Sequence, residues 1–585
     1  MCSIIAYAGN RVAAPILVQG LKRMEYRGYD SVGLATISNR RILVRKGVGK
    51  VEEVNISLGL EKMEGKVGIG HTRWATHGGV TDTNAHPHSN CKNDIAIVHN
   101  GIIDNYSELK RSLIAKGHRF RSETDSEVIA HLLGDFLHKK RDIKKAMINV
   151  TKKLKGTYAF VAVFDDGTVA GARFDEPLIV GIAKDGYYVS SDVLGFIEHT
   201  DKAIFLDNNE IVILNDNEHT IFDFDGSKVK KQATQIAWEL ADADKGKFAH
   251  HTLKEINEQK HTIVNALFSK DSSLDEFCGI VADAKRVVLT GSGSSYNAAL
   301  IAKQLFSKYA GIHCEAVISS EFQYASALDK DSVLVAISQS GETADLLQAV
   351  KTAKAQKTRI LSMVNVTTSS LARAGDLFLE MNCGPEIGVA ATKSFTAQLA
   401  LIYRITDILS GQKLCPNKSD VERAIGKVLN DTKNIANIAE KIKYIGNIYI
   451  LGRGLHFPIA LEGALKLKEL VYVHAEGLAA GELKHGPLAL MDENTTVIML
   501  NPDDETYSDT LSNVHEIKAR GARVIGVSNM NSNKYDNWIK IPKAKNILYP
   551  MLEVIPLQLL AYHTALKRES NPDYPRNLAK SVTVK

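Results

Sequence analysis

Residues 286–310 have the sequence RVVLTGSGSSYNAALIAKQLFSKYA, and this stretch decides the fold of the C-terminal half of the chain. The β-branched run RVVLTG leads through a Gly/Ser turn into a long helical pattern. The next such pair is SVLVAIS at 332–338, followed by TADLLQAVKTAKA at 343–355. Strands that alternate with helices in this way predict an α/β fold with a parallel sheet and crossover helices.

The same alternation returns further along the chain. A strand pattern at 447–454 (NIYILGRG) precedes a helical pattern at 458–470 (PIALEGALKLKEL), and further strand patterns follow at 496–501 and 523–529. We therefore predict a weak internal duplication, with halves near residues 260–430 and 435–570.

The first 235 residues are patterned differently. Short β-branched runs such as SIIAYAG (3–9) and IAIVHNG (95–101) are separated by Gly and Asn/Asp turns, and a helical pattern covers Ser126–Leu137. Strand blocks with separate helices predict an α+β layered domain. The polar stretch 241–258 predicts a linker that leads into a helix. The predicted segments are a domain at 2–240, the linker at 241–258, two domains at 259–430 and 435–570, and a C-terminal tail at 571–585.

Composition excludes several classes of protein. The 585 residues carry 72 Lys and Arg against 67 Asp and Glu, which gives a net charge of only +5. The sequence contains no dense run of Lys and Arg, so we expect no nucleic-acid surface. Six scattered cysteines without a CxxC pair predict neither a disulfide framework nor a zinc site. No apolar run reaches the roughly 18 residues of a membrane span. We expect a cytoplasmic protein without membrane or nucleic-acid partners.

Cys2 is a candidate nucleophile. A residue as small as Cys after Met1 normally permits removal of Met1, which would leave Cys2 at the N-terminus. Its α-amine, with a pKa of roughly 7.7–8.0, would then serve as the base for its own thiol. The alternative is that Cys2 is merely a small apolar residue, so the neighbouring motifs must decide.

Five ordered motifs follow Cys2. They are RGYDS (27–31), HTRWATHG (71–78), HPH (86–88), HNG (99–101) and SETD (122–125). With these motifs the first 235 residues resemble the class II (N-terminal nucleophile, Ntn) glutamine amidotransferases. The match is closest to the glutaminase domain of the glutamine–fructose-6-phosphate aminotransferase family. The resemblance implies glutamine as a substrate and an α+β layered Ntn domain.

Glutamine offers three groups for recognition. Arg73 suits its α-carboxylate and Asp125 its α-ammonium, while the side-chain amide of Asn100 and the N–H of Gly101 suit the oxyanion that develops when Cys2 attacks. The resemblance implies these same roles. It also implies that Trp74, Thr76 and His77 lie in a loop that closes over glutamine, with Trp74 near an ammonia passage. Arg27 is implied to lie beside the nucleophile.

Simpler interpretations of single residues stay open. Thr124 and Glu127 fit a capping box, so Asp125 could belong only to a helix start. His86 and His88 could form a metal pair, but the proline between them and the lack of a nearby carboxylate favour a structural role. Ser3 departs from the glycine that is usual in the family.

Two Ser/Gly loops follow strands in the C-terminal half. They are GSGSS (291–295) and SQSGET (338–343), and each offers backbone N–H groups and hydroxyls to an anion. Neither matches GxxxxGK[ST], so nucleotide binding is not predicted. Each loop alone could be an N-cap turn. Together with four further motifs they resemble the tandem sugar isomerase (SIS) domains of the same family: EIGVAATKSFTAQ (386–398), LEGALKLKEL (461–470), GELKHGP (481–487) and PRNLAKSVTV (575–584).

The resemblance implies two α/β SIS domains with parallel sheets and fructose 6-phosphate as the second substrate. The residues implied to hold the sugar phosphate are Ser295, Ser338, Gln339, Ser340, Thr343 and Val389. Those implied to act in catalysis are Glu469 for proton movement between C1 and C2, His485 from a second subunit for ring opening, and Lys466 and Lys580 as active lysines. A homodimer is implied, and neither a cofactor nor a metal. Ser292 departs from the more usual cysteine at its position.

Helical spacing supports part of this set. Glu462, Lys466 and Glu469 lie at i, i+4 and i+7, on one face of a helix, although a solvated ion-pair stripe would look the same. Rival functions lack their own motifs: no acidic pair marks a phosphoribosyl diphosphate loop, and no SGGxDS loop marks an asparagine synthetase. A sugar-phosphate sensor is disfavoured because Cys2, Glu469 and Lys580 are all present.

Overall fold

The chain folds into two compact units, Met1–Asp242 with Ala579–Lys585, and Ala243–Leu578. The computed structural model describes residues 2–137, 141–215, 218–236, 244–325 and 328–583. No helix in these ranges is long and apolar enough to span a membrane.

The first unit contains two antiparallel sheets. One has eight strands in the order β15-β11-β9-β10-β1-β4-β2-β3, and the other has seven in the order β14-β13-β12-β8-β7-β6-β5. The strands are β1 Ser3–Gly9, β2 Ser31–Ser38, β3 Arg41–Val48, β4 Val67–Arg73, β5 His88–Ser89, β6 Ile95–Ile103, β7 Gly156–Phe164, β8 Val169–Phe174, β9 Ile179–Ala183, β10 Gly186–Ser190, β11 Lys202–Phe205, β12 Glu210–Asn215, β13 Glu218–Asp223, β14 Lys228–Val229 and β15 Thr234–Gln235. The helices are α1 Ala13–Met24, α2 Val51–Leu58, α3 Tyr106–Ala115, α4 Glu127–Leu137 and α5 Ile143–Thr151.

The two sheets pack face to face. Alternate residues of β1, such as Ile4 and Ala6, share a buried core with Val98 of β6 and Val161 of β7. The opposite face of the seven-stranded sheet packs against α3, α4 and α5. Helix α1 covers the outer face of the eight-stranded sheet. This arrangement of helix, sheet, sheet and helix confirms the predicted α+β layered domain.

The second unit contains two parallel five-stranded sheets of the same topology. Their orders are β17-β16-β18-β19-β20 and β22-β21-β23-β24-β25. The strands are β16 Arg286–Gly291, β17 Cys314–Ile318, β18 Ser332–Ser338, β19 Arg359–Val364, β20 Leu377–Glu380, β21 Asn447–Gly452, β22 His474–Ala479, β23 Thr496–Leu500, β24 Arg523–Ser528 and β25 Asn537–Lys540. The repeated order confirms the predicted duplication and the α/β class.

Helices join the two sheets of this unit through one continuous apolar core, which contains residues of both halves. The helices are α6 His251–Phe268, α7 Leu274–Asp283, α8 Ser294–Ala310, α9 Phe322–Ala325, α10 Ala344–Ala355, α11 Ser370–Ala374, α12 Lys393–Ser410, α13 Lys418–Leu429, α14 Thr432–Ile442, α15 His456–Val471, α16 Tyr507–Lys518 and α17 Tyr549–Lys567.

Helix α6 begins inside the stretch 241–258 that we predicted as a linker. Its N-terminus is capped because Asp573 accepts hydrogen bonds from the backbone N–H groups of His251 (2.9 Å) and Thr252 (2.8 Å). Glu255 accepts a backbone hydrogen bond from Gly388 at 3.1 Å. From His251 onward the stretch therefore belongs to the second unit, where Thr252 and Glu255 are buried. Residues 241–243 of the predicted linker lie outside the described residues.

Candidate active sites

Cys2 lies half-buried at the start of β1, beside the loop that follows β4. The backbone N–H of Trp74 donates to Cys2 Sγ at 3.3 Å, and the thiol lies 3.6 Å from the carbonyl oxygen of the same residue. Burial raises the pKa of the Cys2 thiol. Attack on an amide would therefore need a base next to the thiol. Ser3 is accommodated because its buried hydroxyl donates to the Met24 carbonyl at 2.8 Å.

Asn100 and Gly101 lie on β6, and Asn100 reaches the backbone of Cys2. Asn100 Nδ2 donates to the Cys2 carbonyl at 3.1 Å, and Asn100 Oδ1 lies 3.2 Å from His71 Nε2. Burial lowers the pKa of His71 to about 3, so this ring is neutral. Gly101 has a φ of +110°, and a Cβ there would lie 2.1 Å from the Thr157 carbonyl oxygen. Only glycine fits this position, because a side chain would collide with the neighbouring strand β7.

Arg73 ends β4 and organises the loop that follows it. Its guanidinium donates to the carbonyl oxygens of His77, Gly78 (3.1 Å) and Gly79 (3.0 Å). Asp30 accepts the N–H of Ala75 in the same loop at 2.8 Å. The loop 74–79, which carries Trp74, Thr76 and His77, is thus held near Cys2 by two charged side chains.

Asp125 is buried at the end of the segment that precedes α4. Its carboxylate accepts from the backbone N–H of Ile103 at 2.8 Å and from Ser126 Oγ at 3.3 Å. The capping box is not formed as predicted: Glu127 accepts the N–H groups of Arg121 (2.8 Å) and Ser122 (2.7 Å), and the Thr124 hydroxyl lies 3.0 Å from His88 Nε2. Asp125 is therefore hydrogen-bonded to β6 at Ile103, which lies two residues beyond Gly101.

Arg27 is buried, and its guanidinium pairs with Asp192 at 2.7 Å. Tyr26 donates to the same carboxylate at 2.9 Å. Asp192 was missed in the sequence because no local motif surrounds it and 165 residues separate it from Arg27. His86 and His88 are buried with ring centroids 4.5 Å apart, and the His86 ring also lies 4.2 Å from that of His71.

The two Ser/Gly loops of the second unit lie at a common edge of one sheet. They follow β16 and β18, which are neighbours in the sheet. From β16 the chain continues to β17 on one side of this pair, and from β18 it continues to β19 on the other side. Ligands of α/β proteins bind at such a switch point, outside the carboxyl ends of the strands. Helices α8 and α10 begin at these loops and add the positive ends of their dipoles.

Five of the six residues predicted to hold the sugar phosphate have a defined place in these loops; Val389 is the exception. Ser295 Oγ accepts from Gln398 at 3.1 Å in the first turn of α8. In the second loop, Ser338 and Ser340 accept the N–H groups of Gly341 (2.9 Å) and Glu342 (3.2 Å), which keeps the turn tight. Gln339 lies between these serines, and Thr343 is the N-cap of α10 without a side-chain capping bond.

Lys466 lies in α15 with its side chain fully buried. Its ammonium contacts Glu469 at 2.6 Å and Glu462 at 3.3 Å. Burial opposes the charge, but the two carboxylates outweigh it and raise the pKa of Lys466. Glu462 in turn accepts from Ser294 and Asn297 of α8, each at 2.8 Å. The predicted helix face is therefore a buried ionic network that joins both halves of the unit.

Three further predicted residues lie elsewhere in the chain. Val389 is buried, with its N–H 3.4 Å from the Asp573 carbonyl. His485 is exposed on the 3₁₀ turn Ala480–His485. Lys580 is half-buried in the tail that clusters with the first unit, where Thr583 donates to Glu176 at 2.9 Å.

Comparison with known proteins identifies both halves. A family model described as "Glutamine amidotransferase domain" matches residues 60–223, and one described as "SIS domain" matches twice, at 280–406 and 441–568. Among solved structures, the C-terminal domain of glucosamine-fructose-6-phosphate aminotransferase from Francisella tularensis is similar with a TM-score of 0.51 and 34% identity. That similarity covers 56% of this chain and 99% of that one.

Curated relatives match over the whole length. The chain is 42% identical to glutamine–fructose-6-phosphate aminotransferase [isomerizing] of Methanothermobacter thermautotrophicus, and 43% identical to the proteins of the same name from Pyrococcus horikoshii and Aquifex aeolicus. In each case the match covers 100% of both chains. The chain therefore belongs to the glutamine–fructose-6-phosphate aminotransferase (isomerizing) family.

Proposed function

We propose that the protein converts fructose 6-phosphate and glutamine to glucosamine 6-phosphate and glutamate, the first step of amino-sugar (UDP-GlcNAc) synthesis. The observation that carries this proposal is the match to relatives of that name over the whole chain, at 42–43% identity. The ammonia would be released in the first unit, pass internally to the second, and be added there to the sugar before the ketose becomes an aldose.

In the first unit, Cys2 would act after removal of Met1. Its α-amine takes the thiol proton, the sulfur attacks the glutamine amide, and ammonia leaves as a thioester forms that water then hydrolyses. The proposed donors to the oxyanion are Asn100 Nδ2, which already lies 3.1 Å from the Cys2 carbonyl, and the N–H of Gly101. The raised pKa of the buried thiol supports the need for an adjacent base.

Recognition of glutamine would use two opposite charges. Arg73 would hold the α-carboxylate and Asp125 the α-ammonium, assisted by Thr76 and His77 of the loop 74–79. The guanidinium of Arg73 already fixes this loop through its carbonyl groups, which supports closure of the loop on the bound substrate. Trp74, half-exposed in the same loop, would border the ammonia passage.

In the second unit, the Ser/Gly loops would hold the phosphate and α15 would act on the sugar. Of the three charged residues, Glu462 and Lys466 are fully buried, whereas the Glu469 side chain is 21% exposed. Glu469 is therefore the carboxylate that a sugar can reach, which supports its role in moving a proton between C1 and C2. Lys466 would hold that carboxylate in place as a cation.

Lys580 and His485 would complete the sugar site. Lys580 would form an imine with the open-chain ketose, and buried Ser581 and Thr583 support a docked tail rather than a frayed one. A second copy of the chain, in a homodimer, would supply His485, which is exposed in a single copy and so accessible to another subunit. We also propose a cytoplasmic location, because the six cysteines are all free thiols.

Incubation with glutamine and fructose 6-phosphate, followed by mass detection of amino sugar, tests the proposal. Cys2→Ala should abolish synthesis from glutamine but keep conversion of fructose 6-phosphate to glucose 6-phosphate, because that step uses the second unit. Intact-mass measurement should show loss of Met1. A wild-type enzyme that hydrolyses glutamine but yields no amino sugar would refute the proposed overall reaction.

A further inference from the structure

Three side chains with ligand atoms meet on the first unit, away from Cys2 and its partners. Cys91 lies in the turn between β5 and β6, His118 follows α3, and His131 lies in α4. Cys91 Sγ and one nitrogen from each ring all lie within 4.8 Å of one another. Neither proposed reaction uses any of them.

Two of the three separations fit a common metal ion, and the third, between Cys91 Sγ and His118, is no more than 4.8 Å. Cys91 Sγ lies 3.7 Å from His131 Nδ1, and His118 Nδ1 lies 3.2 Å from His131 Nδ1. With Zn–S of about 2.3 Å and Zn–N of about 2.0–2.1 Å, tetrahedral angles place S and N about 3.6 Å apart and two N atoms about 3.3 Å apart. The two measured distances agree with these values.

Each imidazole also faces a carboxylate with its other nitrogen. His131 Nε2 lies 3.4 Å from Glu127 Oε1, and His118 Nε2 lies 3.4 Å from Asp135 Oδ1. Glu127 accepts backbone N–H groups as well, so its oxygens are acceptors and the ring must donate. With both Nε2 atoms protonated, two Nδ1 lone pairs face each other at 3.2 Å. Such a pair repels unless a proton or a metal ion lies between them, and carboxylates behind the rings are typical of metal-bound histidines.

The surroundings of Cys91 suit a thiolate. The backbone N–H of Arg119 donates to Cys91 Sγ at 3.3 Å, and the residue is exposed, so an ion and a water molecule can reach the sulfur. Thiolate and imidazole select zinc-like ions over Mg²⁺ or Ca²⁺, which prefer oxygen ligands.

We propose that Cys91, His118 and His131 bind one zinc-class divalent ion, with a fourth position open to water. The ion would join the β5–β6 turn to α4, whose first turn follows Asp125 of the proposed glutamine site. It would thereby stabilise the first unit, because an ion that binds only the folded state raises its apparent stability.

Cobalt(II) titration of the metal-free full-length protein tests the site. A bound thiolate gives cobalt a sulfur-to-metal charge-transfer band, and tetrahedral coordination gives intense visible bands. We expect both at one cobalt per chain in the wild type and in Cys2→Ala, and loss of the charge-transfer band in Cys91→Ser. His118→Gln should weaken binding at least tenfold, whereas His313→Gln, a change at an exposed histidine of the second unit, should not.

Melting measurements close the test. Zinc should raise the melting temperature of the first unit in the wild type but not in Cys91→Ser, which is expected to fold because Cys91 is exposed. A charge-transfer band lost in Cys2→Ala but kept in Cys91→Ser would overturn the proposal by placing the ion at the nucleophile. No saturable cobalt binding would show that a proton alone separates the two rings, and would overturn it as well.

Discussion

Replacement of Lys466 by methionine should destabilise the second unit strongly. The ammonium is fully buried and contacts Glu469 at 2.6 Å, Glu462 at 3.3 Å and Ser294 Oγ at 3.3 Å. Methionine has a similar length and fills the space, so the change removes charge without leaving a large cavity. Glu462, which is also fully buried, would keep its two bonds from α8 but lose its only ionic partner among the described residues.

The expected loss of unfolding free energy follows from the charge of Glu462, which remains buried after Lys466 is replaced. Breaking a buried ion pair by removing one partner typically costs about 3–5 kcal/mol. Because Ser294 and Asn297 still solvate the Glu462 carboxylate, we expect the lower end, about 3 kcal/mol. In the double variant Lys466→Met/Glu462→Gln the fully buried position 462 no longer carries a charge that lacks its cation, although Glu469 still loses Lys466. The double variant should therefore lose less unfolding free energy than the two single variants lose in sum, and the difference should be about 0.5–3 kcal/mol.

Urea unfolding of the full-length protein measures these differences. The two units can unfold separately, so the transition of the second unit is followed by Trp538 fluorescence in variants that lack the other two tryptophans, Trp74 and Trp238. Glutamine hydrolysis, assigned to the first unit and measured with all three tryptophans present, serves as the folding control. A Lys466→Met variant within about 1 kcal/mol of its parent would contradict the buried network, because that value is typical of solvent-exposed pairs.

Three further outcomes are expected. Burial opposes charging of His456, but Glu553 and Asp504 outweigh it and raise its pKa to about 10. Protonation of His456 therefore stabilises the folded state fully below about pH 6.5, and this contribution is lost as the pH rises toward 10. A His456→Gln variant lacks it, so its urea midpoint should fall less with rising pH than the parent's. An equally steep fall would contradict the raised pKa of His456. Asn100→Ala should lower kcat for glutamine hydrolysis by about 100- to 1,000-fold, and a loss below tenfold would exclude an oxyanion role. Borohydride with fructose 6-phosphate should add one sugar mass to the peptide that contains Lys580, and Lys580→Arg should abolish both that adduct and synthesis while glutamine hydrolysis continues; an adduct on another lysine would move the imine elsewhere.

Local patterns allowed much of the fold to be predicted. The runs SIIAYAG, RVVLTG and SVLVAIS correspond to β1, β16 and β18 with the same bounds, because each is a compact β-branched run ended by a turn. The helix predicted at Ser126–Leu137 begins one residue later in the structure. The repeated alternation likewise predicted the two parallel sheets, since crossover helices leave a period that can be seen in the chain.

The stretch 241–258 shows where composition misleads. Its polar residues led to the prediction of a linker, yet α6 begins within it, and Thr252, Glu255 and the adjoining Gln259 are buried in that helix. Their partners, such as Asp573 and Gln558, come from the far end of the unit. A single sequence does not show these contacts, so a buried polar network and a loop have the same local pattern.

The candidate sites divide in the same way. Arg73 and Ser338 could be proposed as candidates because they lie inside short motifs that are visible in the sequence, and Cys2 because such motifs follow it in order. Asp192 and the cluster of Cys91, His118 and His131 were not found, because their members come from segments joined only by folding. A zinc site with ligands 27 and 13 residues apart lacks the short CxxC spacing that would reveal it.

The spacing of Glu462, Lys466 and Glu469 predicted a shared helix face, and burial decides what that face does. A solvated stripe would contribute little, whereas this one is enclosed and bonded to the start of α8. The residue after Ser294 is Ser295, a proposed phosphate ligand, so Glu462 fixes the phosphate loop while Lys466 fixes Glu469. The distance between the proposed phosphate site and the proposed proton-transfer carboxylate is then set by a rigid ionic network and not by loop flexibility. Such a constraint is what isomerisation requires, because the carboxylate must reach C1 and C2 of a sugar that is held at the opposite end of its chain.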